Sequence, residues 1–204
     1  MHDLDPWIRQ QRQEAIELPL ALAKFVYFPT FLTPETASSI FQALYTETPW
    51  RADKVRVFGK WHDQPRLTAW YATEKRTYAY SGLELDSIKM SPILIDLKNA
   101  IEEKVETRFN SVLLNLYRDG TDSNGWHSDD EEELGPDPSI ASLSLGATRV
   151  FQLKHKKETY KLSLQPGSLI LMGDGSQIYW KHQLPKTKKA IGPRVNCTFR
   201  KILD

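Results

Sequence analysis

Arg194-Val195-Asn196-Cys197-Thr198-Phe199-Arg200 alternates strictly between polar and apolar side chains. In a β-strand successive side chains point to opposite faces. Arg194, Asn196, Thr198 and Arg200 therefore share one face, and Val195, Cys197 and Phe199 share the other. The apolar face needs a core to cover it. The polar face sets two guanidiniums close together, which repel unless an anion or acidic side chains lie between them. Arginine is suited to bidentate carboxylate recognition, so a dicarboxylate satisfies such a face. Read alone, the same spacing also fits an exposed strand paired with some of the chain's 26 acidic residues.

Working outward from this strand, the pattern from residue 111 onward is mostly β. Candidate strands cover 111–117, 125–129, 139–145, 148–154, 159–164, 168–172, 178–183 and 194–202, punctuated at short intervals by Gly, Pro, Asp and Asn. Many short strands with turn signals predict a sandwich or barrel. Two helices precede them. Thr33-Pro34 is a start signal followed by Ala37, Ile40, Phe41 and Leu44 at helical spacing. Ser91-Pro92 repeats the signal ahead of Leu94, Leu97, Ile101 and Val105. Between the helices, residues 55–82 read as short strands and turns, with a break at Gly59 and with Tyr78 and Tyr80 on one strand face. The expected fold is mainly β (α+β): two helices supporting one side of a jelly-roll sandwich. Residues 1–20 form a polar N-terminal extension, with at most a short helix after Asp5-Pro6. Residues 21–204 form a single domain, helices and hairpins in 21–110 and jelly-roll core in 111–204.

Composition bounds the class of function. With 204 residues, 40% hydrophobic and 26% charged, the chain can bury one sizeable core. The net charge of +1 gives no global basic signal, so any attraction for nucleic acid must be local. The single cysteine, Cys197, excludes an intrachain disulfide and is compatible with a reducing compartment. No basic segment followed by an apolar run opens the chain, and no apolar stretch approaches the roughly 20 residues that span a bilayer. An intracellular protein is expected.

Trp126-His127-Ser128-Asp129 places His127 and Asp129 two apart, on one face of a strand, and His182 follows in Tyr179-Trp180-Lys181-His182. Two imidazoles and one carboxylate can occupy one face of an octahedral metal and leave positions open, the arrangement of non-haem iron(II) oxygenases. The acid-rich stretch 127–133 also fits a solvated surface loop. Asn115-Leu116-Tyr117 puts an amide and a phenol on one face, able to complete a carboxylate pocket or to sit as a buried Tyr bonded to backbone.

Together these segments resemble the AlkB family of nucleic-acid demethylases, within the iron(II)/2-oxoglutarate dioxygenases. The resemblance rests on Asn115-Leu-Tyr117, Trp126-His-Ser-Asp-Asp-Glu131, Ile140-Ala-Ser-Leu-Ser-Leu-Gly146, His182 and Arg194–Arg200, and covers about residues 50–203. Val57-Phe-Gly-Lys-Trp-His62 and Pro65-Arg-Leu-Thr-Ala-Trp-Tyr71 are similar to its DNA-repair branch. Two positions depart from the family pattern: Ala-Thr-Glu after Tyr71 where Gly-Asp or Gly-Glu is usual, and Cys197 where Leu is common.

The resemblance implies a double-stranded β-helix holding Fe(II) through His127, Asp129 and His182. It implies that Arg194 and Tyr117 take the distal carboxylate of 2-oxoglutarate, that Arg200 and Asn115 lie near its metal-bound end, and that Asn196 and Thr198 line the same face. Substrate contacts would come from Phe58, Gly59 and Lys60 at a wedge, from Tyr78, Ala79 and Tyr80 at a base wall, and from Asp130 and Glu131 beside the metal. The implied reaction is oxidative dealkylation of bases such as 1-methyladenine and 3-methylcytosine, with dioxygen as co-substrate and formaldehyde as product. Because the target atom is stacked in a duplex, the base must be flipped out or already single-stranded. Lys154–Lys157, Lys186–Lys189, Arg51, Lys54 and Arg56 are candidate phosphate contacts or solvated charge.

The expected partner is alkylated DNA, with RNA left open. No membrane partner is expected, the chain is expected to act as a monomer, and its place is the cytoplasm in a bacterium and the nucleus in a eukaryote. Two other classes compete: a 2-oxoglutarate oxygenase hydroxylating a protein or small molecule, and a non-catalytic nucleic-acid module. A pure binder has no use for an intact triad and both arginines.

Overall fold

A computed structural model describes residues 15–57, 60–74, 77–80 and 83–203. In chain order the strands are β1 (Ile16–Glu17), β2 (Phe25–Phe28), β3 (Lys54–Val57), β4 (Lys60–Asp63), β5 (Leu67–Ala72), β6 (Thr77–Tyr80), β7 (Leu83–Asp86) and β8 (Ile88–Lys89). They continue with β9 (Ser111–Tyr117), β10 (Asn124–His127), β11 (Ile140–Gly146), β12 (Arg149–His155), β13 (Glu158–Leu164), β14 (Leu169–Met172), β15 (Lys181–Leu184) and β16 (Arg194–Arg200). The helices are α1 (Pro34–Glu47), α2 (Pro92–Val105) and the single turn α3 (Ser176–Tyr179).

Two sheets face each other. The larger runs β1-β2-β14-β11-β16-β9-β5-β8 and the smaller β10-β15-β12-β13. β9, β11 and β16 are covered on both sides, which explains why nearly every residue in them is buried. On one side of β16, Val195, Cys197 and Phe199 join a core with Ile40 and Leu44 of α1 and Leu94, Leu97 and Ile101 of α2. Fully burying an aliphatic side chain contributes about 1.5–3 kcal/mol, so these few residues fix both helices to the sheet. On the other side, Arg194, Asn196, Thr198 and Arg200 face the space between the sheets. The fold is the expected jelly-roll, with its helices on one side.

The helix starts follow the sequence signals. Thr33 Oγ1 accepts from Thr36 N–H at 3.2 Å, and Pro34 takes the first helical position, where no backbone donor is needed. Ser91 stands at the α2 start without a side-chain cap bond. The predicted strand 178–183 is shorter than expected, because Ile178 and Tyr179 belong to α3 and the strand begins at Lys181. Gly175 precedes that turn at φ +75°, and its N–H donates to the Asp137 carboxylate at 2.8 Å. A Cβ at Gly175 would run into the Leu22 carbonyl. The chain therefore turns there before β15 begins.

β3 pairs with β4 and β6 with β7 as antiparallel hairpins, where strands and turns were expected. Residues 1–14, including any helix after Asp5-Pro6, lie outside the described residues, whereas Ile16–Glu17 pairs with β2 at the edge of the large sheet. Among the described residues no helix is long and apolar enough to cross a membrane.

Candidate active site

β10 and β15 run antiparallel with His127 directly opposite His182, which brings the two imidazoles to 4.1 Å between ring centroids. Asp129, two residues beyond His127 and 1% exposed, completes the group. One ligand atom from each of the three lies within 4.8 Å of the others. The His127–Asp129 spacing and the cross-strand register bring together residues far apart in the chain.

Each member is held by neighbours. His127 Nδ1 lies 2.7 Å from the Gly125 carbonyl, which fixes the proton on Nδ1 and leaves the Nε2 lone pair facing the site. The Asn124 amide donates to that lone pair at 3.1 Å, and Asn124 Oδ1 accepts from Arg66 Nη1 at 3.1 Å. Arg66 Nε also donates to Asn115 Oδ1 at 2.8 Å, so one buried guanidinium ties the first histidine to Asn115. Asp129 N–H donates to Gln177 Oε1 at 2.9 Å, and α3 supplies that glutamine. Arg200 Nη2 donates to Asp129 Oδ1 at 2.7 Å.

The protonation states suit a divalent metal. Burial alone would raise the Asp129 carboxyl, but Arg200, with the two imidazoles adding, outweighs it and brings the group down to about 2. Burial, reinforced by His127, brings His182 down to about 3, and burial lowers His127 as well. An ionised carboxylate and two neutral imidazoles are the forms that bind a metal. Two nitrogens and one oxygen on one side of a pocket match the donor set of non-haem iron(II).

The pocket continues along the polar face of β16. Arg194, 2% exposed, donates from Nη2 to Ser144 Oγ at 2.9 Å, and its guanidinium lies 5.4 Å from the Tyr117 ring centroid. Its Nε is buried and has no hydrogen-bond partner among the described residues. Asn196 Nδ2 donates to Ser142 Oγ at 2.8 Å, and Thr198 Oγ1 donates to Asn196 Oδ1 at 3.0 Å. Leu113, Phe151, Met172 and Leu184 supply apolar wall beside Asn115 and Tyr117. A buried cation with an unused donor, next to a metal-ligand group, fits an anionic ligand that reaches both.

The structure therefore brings together nine of the sequence-predicted residues: His127, Asp129, His182, Asn115, Tyr117, Arg194, Asn196, Thr198 and Arg200 all line one pocket. It does not bring Asp130 and Glu131 into that lining. Asp130 is exposed and Glu131 half-buried on the segment leaving the metal group. Phe58 and Gly59 lie outside the described residues. For Lys60, Tyr78, Ala79 and Tyr80 the backbone is described, in β4 and β6, and the side chains lie outside the described residues.

Sequence reasoning missed Arg66, Asn124, Gln177, Ser142, Ser144 and Arg149. Alternation along Ile140–Gly146 could have found the serines, since Ser142 pairs in register with Thr198 and Ser144 with Asn196. Arg149 donates to the carbonyls of Asp119, Asp122 and Pro185 at 3.1, 2.9 and 2.7 Å, and so clamps two loops beneath Tyr117. No local pattern announces Gln177 or Asn124.

Comparison with known proteins agrees with this geometry. The family model described as the 2OG-Fe(II) oxygenase superfamily matches residues 24–200. The chain is 42% identical over 180 residues to the DNA oxidative demethylase ALKBH2 of Homo sapiens, covering 82% of this chain and 69% of that one. It is 38% identical over 195 residues to the alpha-ketoglutarate-dependent dioxygenase alkB homolog 3 of Homo sapiens, covering 90% and 68%. A prolyl hydroxylase from Trichoplax adhaerens, solved with a hypoxia inducible factor peptide fragment, superposes with a TM-score of 0.62 at 13% identity, covering 87% of this chain and 83% of that one. The fold is thus shared with a prolyl hydroxylase solved with a peptide fragment, while the identity runs to the DNA oxidative demethylase and the alkB homolog. The chain belongs to the 2OG-Fe(II) oxygenase superfamily and, within it, to the AlkB family of dioxygenases, whose cofactors are Fe(II) and 2-oxoglutarate.

Proposed function

We propose that this dioxygenase removes N-linked alkyl groups from nucleic-acid bases such as 1-methyladenine and 3-methylcytosine in DNA, with RNA left open as a further substrate, as repair of alkylation damage. The observation that carries the reading is the juxtaposition of the His127–Asp129–His182 group with the arginine face of β16, in a chain 42% identical to a DNA oxidative demethylase. His127, Asp129 and His182 would hold the iron. Arg194 and Tyr117 would take the distal carboxylate of 2-oxoglutarate, with Asn115 and Arg200 near its other end and Asn196 and Thr198 along its length. When bound, iron(II) with 2-oxoglutarate and dioxygen would supply the oxidation, one oxygen atom going to succinate formed with carbon dioxide and the other to the N-alkyl carbon. The hydroxymethyl base then expels formaldehyde.

The chain's own residues place these parts. Arg200 neutralises one oxygen of Asp129 and keeps the carboxylate ionised. Gln177 holds the Asp129 backbone, and Arg66 holds both asparagines. The apolar wall of Leu113, Phe151, Met172 and Leu184 excludes water from the reacting atoms. Asp130 and Glu131, directly after Asp129 in the chain, would favour cationic alkylated bases. Phe58, Gly59 and Lys60 would act as the wedge, and Tyr78, Ala79 and Tyr80 as the base wall, where stacking contributes roughly 1–3 kcal/mol per base.

Residues 21–204 are read as one catalytic domain, with 1–20 as an extension. The metal group and the arginine face of β16 come from one chain, which supports a monomer. Its place follows its substrate: the cytoplasm in a bacterium and the nucleus in a eukaryote.

The test is incubation with iron(II), ascorbate, 2-oxoglutarate and oligonucleotides carrying 1-methyladenine, single- and double-stranded, followed by mass spectrometry. Loss of one methyl group that needs both iron and 2-oxoglutarate, and is abolished in His127→Ala, is the expected result. Succinate formed without methyl loss would reject nucleic acid as the substrate and favour a protein or small molecule.

A further inference from the structure

The side of the small sheet turned away from the pocket is unusual in its charge. On β12 and β15 the residues alternate between buried and outward, β13 is half-buried or exposed up to the buried Leu164, and Lys154, Lys161 and Lys181 are all exposed outward residues. Lys154 lies directly opposite Lys181 in the β12–β15 register, and Lys161 lies opposite Gln152, one pair along. Like charges directly opposite in an antiparallel pair destabilise it. The one carboxylate on β12, β13 and β15 is the exposed Glu158 at the β13 end, paired with His155 on the alternate side of the pleat from Lys154, Lys161 and Lys181. Trp126 of β10, 38% exposed, lies on the same side, with the Lys154 ammonium 5.8 Å from its ring centroid. A row of lysines ending on an exposed aromatic ring has the chemistry of a surface for a single nucleic-acid strand: phosphates answer the ammonium groups and a base can stack on the ring.

The position of this face relates it to the pocket. β10 is the edge strand of the small sheet, and its last two residues point to opposite sides: His127 inward to the metal group, Trp126 outward. A strand that leaves the pocket beside His127 reaches the lysine row by crossing the width of one β-strand.

We propose that this outward face is a second nucleic-acid surface, which carries the single strand flanking the target base and so sets affinity without taking part in the chemistry. The inference rests on the reading that the chain acts on nucleic acid. An acidic protein is the other partner that charge alone would allow. The exposed Trp126, on the metal strand itself, favours the nucleic acid.

The experiment measures binding of an unmodified oligothymidylate of about 20 nucleotides against salt concentration. The proteins are the wild type, the triple variant K154Q/K161Q/K181Q and the charge-preserving K154R/K161R/K181R. Each lysine–phosphate contact on a single strand adds about 0.7 to the slope of log affinity against log salt, so three contribute about 2, or roughly 100-fold in affinity near 0.1 M salt. The glutamine variant should lose that slope and that affinity, and the arginine variant should keep both. Both should demethylate a methylated trinucleotide, too short to reach the face, with unchanged kcat/KM. An unchanged slope in the glutamine variant overturns the inference. So does a matching loss on the trinucleotide, which would place the lysines in the pocket chemistry. Binding of poly-glutamate that is lost in the glutamine variant, with the oligonucleotide slope retained, would assign the face to an acidic protein and also overturn it. If the wild type leaves the trinucleotide methylated while the slopes differ as expected, the demethylase reading fails and the binding face stands.

Discussion

Replacing Arg194 by methionine should move stability and cofactor binding in opposite directions. The guanidinium is buried, donates to Ser144 Oγ at 2.9 Å, and has no hydrogen-bond partner for Nε among the described residues. Burial brings its pKa down to about 10. Set against the ordinary guanidinium value, this corresponds to a cost on the order of 3 kcal/mol for keeping the charge in place. Methionine has similar length and no charge. It would remove that cost and lose one hydrogen bond and one contact with the Tyr117 ring, about 1 kcal/mol each. The net is a gain of about 1 kcal/mol, or a Tm higher by roughly 2–4 °C for a chain of this size. In the wild type, 2-oxoglutarate at a hundred times its Kd should add about 2.7 kcal/mol. In the methionine variant it should add nothing. Differential scanning fluorimetry with anaerobic iron(II), with and without 2-oxoglutarate, reads both effects. A methionine variant that melts below the wild type without 2-oxoglutarate, or that keeps the ligand-induced rise, would refute the reasoning.

Gln177→Ala leaves the Asp129 N–H without its acceptor and should weaken iron binding by about 10–100-fold, seen in a competition titration with a chelator, with little change in 2-oxoglutarate recognition by Arg194. Arg149→Ala removes three bonds to loop carbonyls from a buried site and should cost about 3 kcal/mol in denaturant unfolding. Glu102 is buried at the end of α2. Burial would raise its carboxyl, but Phe109 N–H at 2.7 Å, together with Lys98 and Arg108 at 3.0 Å each, holds it below its usual value. A folded pKa below the unfolded one means stability that is present above the unfolded value of about 4.3 and is lost as pH falls through the folded one. Wild-type stability should therefore fall as pH drops from about 5, while Glu102→Gln, weaker at neutral pH, shows a flatter acid limb and converges with it. Parallel acid limbs for the two proteins would count against this account.

How much was legible depends on the range of the interaction. The alternation in Arg194–Arg200 and the Thr33-Pro34 start are local rules, and the structure follows them residue by residue. The triad needed one long-range fact, the His127–His182 register, which no single strand contains. What escaped is the support around it. Gln177 reaches Asp129 from a one-turn helix that replaces a predicted strand. Asn124 and Arg66 act through three hydrogen bonds that link four side chains, Asn115, Arg66, Asn124 and His127. Such contacts follow from the packing of the sheets, so only the folded molecule displays them. The pairing of Arg200 with Asp129 is of the same kind.

β16 is, in effect, one message read in two frames. Its even-numbered residues spell the ligand pocket and its odd-numbered residues spell the core under the helices. A one-residue insertion or deletion upstream within the strand would hand the arginines to the core and the phenylalanine to the pocket. Such a lesion cannot yield a well-folded protein that has merely lost its cofactor. Damage to this strand's register should show itself as insoluble or degraded chain, whereas point changes on the even residues can leave a folded, inactive one. Inheritance of the site and inheritance of the fold are thereby bound to a single stretch of seven residues.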